Sequence, residues 1–134
     1  MRAKDVMNKE PYILYEEDTM LDASKFMKKE RIRNLPVVDK NNKLVGLITL
    51  REIIEGLASK PDKTLIGDAM LKDVKSIEPE TPLKGAIQVM LVNKFGCLPV
   101  VDKNKKLLGI ITEADLLKPL YEMVSLPDDF YNVT

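Results

Sequence analysis

The chain has 134 residues, 31% of them charged, and its 21 basic and 21 acidic side chains cancel to a formal net charge of zero, which removes the long-range electrostatic argument for nucleic acid or for an anionic membrane surface. No histidine occurs and Cys97 is the only cysteine, so the usual general base near neutral pH, the commonest transition-metal ligand and any internal disulfide are excluded. The apolar runs are far too short to span a bilayer and Met1-Arg-Ala-Lys-Asp-Val6 lacks the apolar stretch of a signal peptide, so the expectation is a soluble cytoplasmic protein, with Cys97 as a small buried hydrophobe.

In chain order, Tyr12-Ile-Leu-Tyr15 predicts a short strand. Thr19 predicts the cap of a helix that carries Met20, Ala23 and Met27 on one face, with Leu21 and Phe26 widening the apolar stripe. Leu35-Pro-Val-Val38 and Leu44-Val-Gly-Leu-Ile48 are short, continuous apolar runs rich in β-branched residues, as expected for strands covered on both faces. Asp39-Lys-Asn-Asn42 supplies the turn between them. Thr49 predicts a second cap, for a helix through Ile53, Ile54 and Leu57, and Lys60-Pro-Asp-Lys63 reads as a linker.

The same order of elements then returns. Leu35-Pro-Val-Val-Asp39 recurs as Leu98-Pro-Val-Val-Asp102, and a shift of 63 residues also superposes Asp5 on Asp68, Met7 on Met70, Ala23 on Ala86, Met27 on Met90 and Gly46 on Gly109. The second copy holds Lys75-Ser-Ile77, a helix Leu83 to Val92, strands Leu98 to Val101 and Leu107 to Ile111, and a helix from Glu113 to about Tyr121. Thr19 lies four residues before Ala23 whereas Thr81 lies five before Ala86, a shift that a loop absorbs without moving the core register. Each copy reads β-α-β-β-α, giving repeat 1 over 1–62, repeat 2 over 63–121 and a tail over 122–134. Each copy alone is marginal in length for independent folding, so the two are expected to share one core. Pro36 and Pro99 are expected at a strand start or sheet edge, where a missing N–H is tolerated. Gly46 and Gly109 interrupt strands, which marks either a bulge or a ligand's close approach to the backbone.

The paired Asp-Val-Met7 and Asp-Ala-Met70 openings, the two Leu-Pro-Val-Val-Asp blocks and the two Gly-hydrophobic-hydrophobic-Thr-x-x-acidic blocks together resemble a tandem pair of cystathionine β-synthase (CBS) domains, a Bateman module, over about residues 1 to 121. The resemblance implies an α+β fold in which two repeats pack through their sheets with pseudo-twofold symmetry and leave two related clefts. It also implies an adenosine-containing ligand, AMP, ADP, ATP or S-adenosylmethionine, whose binding biases a partner protein, and a homodimer. No cofactor is required, and the regulated partner is not identified by any residue.

In that family the acidic residue of Gly-h-h-Thr-x-x-Asp holds ribose, and Gly109-Ile-Ile-Thr-Glu-Ala-Asp115 fits the pattern unchanged. A carboxylate fixed at a helix start can accept both hydroxyls of a vicinal diol, while Thr112 and the free N–H groups of that first turn favour a phosphate or sugar oxygen. The same spacing is also a helix-capping box that needs no ligand. Copy one has Gly46-Leu-Ile-Thr-Leu-Arg-Glu52; its longer side chain fixes a diol less well and costs more side-chain entropy, so a cap is the favoured reading there.

The resemblance assigns the rest of the Asp115 cleft to the other copy: Pro11, Tyr12 and Ile13 flank adenine, and Arg33 with Asn34 faces phosphate. The alternative for Arg33 is a solvated charge near a helix end. A weaker second site is assigned to Glu52, Thr49, Ser76 and Lys75, because Gly96 and Cys97 stand where copy one has Arg33 and Asn34. With no histidine, nucleophile elbow, phosphate-cradling glycine loop or metal-ligand cluster, an enzyme is not expected. The alternative function is a ligand-free module for dimerisation and protein interaction.

Overall fold

The computed structural model describes residues 1–56 and 60–124. Leu57, the expected end of the second helix, and tail residues 125–134 lie outside them. In repeat 1, Thr19 caps helix α2 (Met20–Glu30): its hydroxyl accepts the Asp22 N–H at 3.2 Å, and Asp22 Oδ2 accepts the Thr19 N–H at 3.0 Å. The Thr19 N–H holds the Asp22 carboxyl below the usual carboxylate range. Strands β1 (Asn34–Val38) and β2 (Leu44–Thr49) pair antiparallel, and helix α3 (Leu50–Glu55) follows directly. Repeat 2 matches this with helix α5 (Leu83–Asn93), strands β3 (Cys97–Val101) and β4 (Leu107–Thr112), and helix α6 (Glu113–Met123). Pro82 occupies the cap position of α5 where copy one has Thr19, so the one-residue threonine offset ends in the loop and the helices keep the 63-residue register.

Two expectations are corrected. Tyr12–Tyr15 and Lys75–Ile77 are not strands; each contributes one parallel bridge, Leu14 to Val37 and Ile77 to Val100. Leu14 donates to Pro36 O and accepts from Val38, both at 3.0 Å, and Ile77 does the same with Pro99 and Val101 at 3.0 and 2.8 Å. The next rung of a parallel ladder would need an N–H from Pro36 or Pro99, and neither has one. The prolines are thus third in their strands rather than first, buried, with the missing donor on the side away from β2 or β4.

At the glycines, of the two readings left open, the bulge is present. A bulge falls beside them, at the register shifts Val37/Val38 and Val100/Val101. What approaches the glycines is the chain itself: a Cβ on Gly46 would lie 2.9 Å from Leu71 O, and one on Gly109 would lie 2.6 Å from Asn8 O. Paired backbone bonds hold these crossings, Asn8 with Ile110 (2.8 and 3.0 Å) and Leu47 with Leu71 (3.0 and 2.9 Å).

Those crossings belong to an exchange of leading segments. Helix α1 (Ala3–Val6) opens the first sequence copy, yet Ala3, Val6 and Met7 pack with Ile77, Ala86, Met90, Leu98, Val100 and Ile111 of the second. Helix α4 (Ile66–Ala69) opens the second copy, yet Ile66 and Met70 pack with Leu14, Met20, Ala23, Met27, Leu35 and Ile48 of the first. Each fully buried aliphatic side chain in such a cluster contributes roughly 1.5 to 3 kcal/mol. Neither spatial half is complete without a segment of the other. Between the halves, Val38, Val101 and Leu107 form one small cluster and Leu47, Cys97 and Ile110 another. The hairpin ends join through Leu44 N–H to Lys105 O (3.0 Å) and Leu107 N–H to Asn42 O (2.9 Å). No helix among the described residues is long and apolar enough to cross a membrane.

Candidate functional site: two clefts between the repeats

The crossing segments form the walls of two clefts. The first, about 490 Å³, brings Pro11, Tyr12, Arg33 and Asn34 of copy one together with Thr112 and Asp115 of copy two. Asn8, Arg31, Gly96 and Glu113 add polar and backbone groups to its lining, and Ile32, Ile110 and Ala114 complete it. Ile13 does not reach it; its side chain packs against Val38, Val101 and Leu107 in the inter-repeat core. The second cleft, about 770 Å³, is lined by Thr49, Glu52 and Lys75, joined by Arg51, Glu55, Lys72 and Lys94. Ser76 is not part of its lining. Asn34 and Gly96 border both clefts, one from each repeat. Both volumes fall in the range of small-molecule sites.

Both acidic residues are engaged in the same way. The Thr112 N–H and hydroxyl donate to Asp115 Oδ2 at 2.8 and 3.0 Å. The Thr49 N–H and hydroxyl donate to Glu52 Oε1 at 2.6 and 2.7 Å. The helix caps are therefore made in both copies, and the extra methylene of Glu52 does not prevent its cap. Each cap uses one carboxylate oxygen. The other oxygen retains two lone pairs, enough for the two O–H donors of a diol.

Tyr12 stands at the mouth of the Asp115 cleft. Its hydroxyl donates to Glu30 Oε2 at 2.9 Å and its ring lies 5.7 Å from that of Phe26, so α2 sets its position. The hydrogen bond to the Glu30 carboxylate pushes the Tyr12 phenol above its ordinary pKa. Cys97 is buried at the edge of the Glu52 cleft, and burial pushes its thiol up to about 12.

Sequence reasoning did not single out Arg31, although a readable signal existed. Arg31 and its repeat mate Lys94 end α2 and α5 in the left-handed conformation, with φ of 55° and 57°. Each places a cation beside one cleft, and the last turn of a helix favours such a charge. The Glu52 cleft, whose positions matching Arg33 and Asn34 are uncharged, gathers Lys72, Lys75 and Lys94 from neighbouring segments instead. Arg51 is less available there, paired with Glu55 at 3.2 Å. Among the described residues no cluster of three or more His, Cys, Asp or Glu side chains is arranged to hold a metal ion.

Comparison with known proteins places this geometry. The family model for the CBS domain matches twice, over residues 3–59 and 66–122. AcuB from Vibrio cholerae has a similar structure, with a TM-score of 0.86 and 34% identity over 92% of this chain and 93% of that one. The CBS domain pair of protein MJ0100, crystallised with 5′-methylthioadenosine and S-adenosyl-L-methionine, superposes with a TM-score of 0.84 and 28% identity, covering 92% of this chain and 98% of that one. CBSX2 in complex with AMP gives a TM-score of 0.81 at 26% identity, covering 91% and 97%. Against curated relatives the chain spans 68% of one protein's length but only 23% and 39% of two others. With two family matches that together cover most of its length, the chain belongs to the CBS domain family and carries a tandem pair of these domains.

Proposed function

We propose that this chain is a regulatory CBS pair that binds an adenosine-containing ligand, AMP, ADP, ATP or S-adenosylmethionine, in the Asp115 cleft and passes its ligand state to a partner protein. The observation that carries the reading is the convergence of Pro11, Tyr12, Arg33 and Asn34 with Thr112 and Asp115 in one cleft. The adenosine compounds held by MJ0100 and CBSX2 support the ligand class. Asp115 accepts the ribose diol through the oxygen that the cap leaves unused. Thr112 and the α6 start lie toward sugar or phosphate, and Arg33 supplies a fork for phosphate. Pro11 and Tyr12 border the base. The wider Glu52 cleft takes a ligand less well, because the uncharged Gly96 and Cys97 stand there where copy one has Arg33 and Asn34. A cytoplasmic homodimer belongs to the same reading, since a module without chemistry of its own acts through an interface.

The caps themselves favour a second reading. They are complete without any ligand, as a pure interaction module would need. A thermal-shift panel with AMP, ADP, ATP and S-adenosylmethionine separates the two. Ligand at about 100 times its Kd stabilises by roughly 2.7 kcal/mol, a shift of several degrees for a chain this size. No shift with any of the four would leave the interaction module as the surviving reading.

A further inference from the structure

The charges of the chain cancel overall but not locally. The hairpin turns Asp39-Lys-Asn-Asn-Lys43 and Asp102-Lys-Asn-Lys-Lys106 hold five lysines against two aspartates. Although 63 residues apart in sequence, the turns adjoin in space. Lys43 bridges Lys106, Leu44 N–H donates to Lys105 O at 3.0 Å and Leu107 N–H to Asn42 O at 2.9 Å, and Asn42 Nδ2 donates to Leu107 O at 3.1 Å. Both aspartates are turned into their own loops. Asp39 Oδ1 accepts the Asn41 and Lys43 N–H groups at 2.8 and 3.0 Å, and Asp102 Oδ1 accepts those of Asn104 and Lys106 at 2.8 and 2.9 Å. All five lysines are exposed, and none joins an ion pair or side-chain hydrogen bond among the described residues. Lys105 has a φ of 64° where its counterpart Asn42 has 62°, so the turn carries a cation at a left-handed position that suits asparagine better. Like charges gathered on one surface repel one another, and a partner of opposite charge is steered to them and relieves that repulsion.

We propose that this lysine pole is a docking surface for an acidic, extended segment of a partner protein. The five lysines line neither cleft; the clefts draw on the opposite ends of the same hairpins, at Asn34, Thr49 and Thr112. Lysines are point charges on flexible stems, suited to successive carboxylates of an adaptable chain, whereas bidentate recognition of phosphate calls for arginine. Neither turn carries an arginine, or an aromatic ring on which nucleotide bases could stack. Neither offers an exposed apolar side chain to enter a bilayer. The pole sits across the join of the two repeats, so a segment laid on it touches both at once. This inference locates the partner protein of the reading above and is independent of ligand binding.

Fluorescence anisotropy of a fluorescein-labelled polyglutamate peptide, titrated with the full chain at about 50 mM salt to limit screening, tests the docking. The variant Lys40→Gln/Lys43→Gln/Lys103→Gln/Lys106→Gln should bind the peptide at least about tenfold more weakly than the wild type. The control Lys25→Gln/Lys29→Gln/Lys84→Gln/Lys118→Gln, an equal change of net charge at other exposed lysines, should differ from the wild type by less than about twofold. Acetylation footprinting of the wild-type chain reads the same contact without any substitution. The peptide should protect the five pole lysines and leave Lys25 and Lys84 as reactive as before. No binding by the wild-type chain, equal losses in the two variants, or protection concentrated at Lys72, Lys75 and Lys94 of the Glu52 cleft would overturn the proposal. Tighter binding of oligothymidylate or of phosphatidylserine vesicles through the same lysines would overturn it too, by assigning the pole to a nucleic acid or a membrane.

Discussion

Replacing Gly109 with alanine would test whether the segment that crosses between repeats holds the fold together. The new Cβ would sit 2.6 Å from Asn8 O and 2.9 Å from Met7 Sδ, and a backbone oxygen cannot swing aside as a flexible side chain can. The Asn8 segment must move, which breaks its 2.8 and 3.0 Å bonds to Ile110 and loosens Met7 from the repeat 2 core. Two backbone hydrogen bonds are worth about 0.5 to 1.5 kcal/mol each, and forcing a group into a packed site costs about 1 to 3 more. The expected loss is therefore about 2 to 6 kcal/mol, a large share of a typical domain's stability. Gly85→Ala is the matched control. Its Cβ would meet only Thr81 Cγ2 at 3.9 Å, so in α5 the same substitution should stabilise by about 0.5 to 1 kcal/mol. Urea unfolding of both variants reads the difference directly. A Gly109→Ala loss below about 0.5 kcal/mol, or a Gly85→Ala change of the same sign and size, would refute the reasoning.

Cys97 gives a pH prediction with a definite sign. Its folded pKa, pushed up to about 12 by burial, lies above the ordinary 9.0, so the stability this neutral thiol contributes is complete below about pH 9 and is lost as pH rises toward 12. Native chain at about pH 8 should react with iodoacetamide orders of magnitude more slowly than urea-unfolded chain, and comparable rates would contradict the burial. Asp22 runs the other way: the Thr19 N–H depresses its pKa, so its contribution is present above the unfolded value near 4 and is lost as pH falls through the lower folded value. Asp22→Asn should flatten the acid limb of the stability profile in that window. An acid limb identical to that of the wild type would remove Asp22 from the account.

The repeat made the helices and the hairpins legible, because a 63-residue shift carries the core positions of one copy onto the other, whereas the grouping of Pro11, Tyr12, Arg33 and Asn34 with Asp115 came from the resemblance to paired CBS domains. The exchange of α1 and α4 was not legible: Asp5-Val-Met7 and Asp68-Ala-Met70 mark matching positions but carry no record of which core they enter. The failed strands at Tyr12 and Lys75 were readable in principle, since the prolines that end each ladder stand in the motif itself, but only once the strand across from them is known. Ile13 and Ser76 fell outside the clefts because alternation along an irregular segment is not fixed by a sheet. Of the lysines in the Glu52 cleft, Lys75 was legible in the sequence, while Lys72 was missed for a related reason. Position-by-position comparison with Arg33 and Asn34 sees Gly96 and Cys97, whereas Lys72, Lys75 and Lys94 arrive from segments on either side.

Calorimetric titration of AMP into the wild-type chain, Asp115→Asn and Glu52→Gln tests the central claim most directly. Each amide oxygen can still accept the cap's threonine N–H, so the helix starts are retained while the charge offered to a diol is removed. The account predicts that Asp115→Asn weakens AMP binding at least roughly tenfold, the worth of one charged hydrogen bond, whereas Glu52→Gln changes it less than about twofold. Equal losses in the two variants, or binding unaffected by Asp115→Asn, would contradict the placement of the adenosine ligand in the Asp115 cleft.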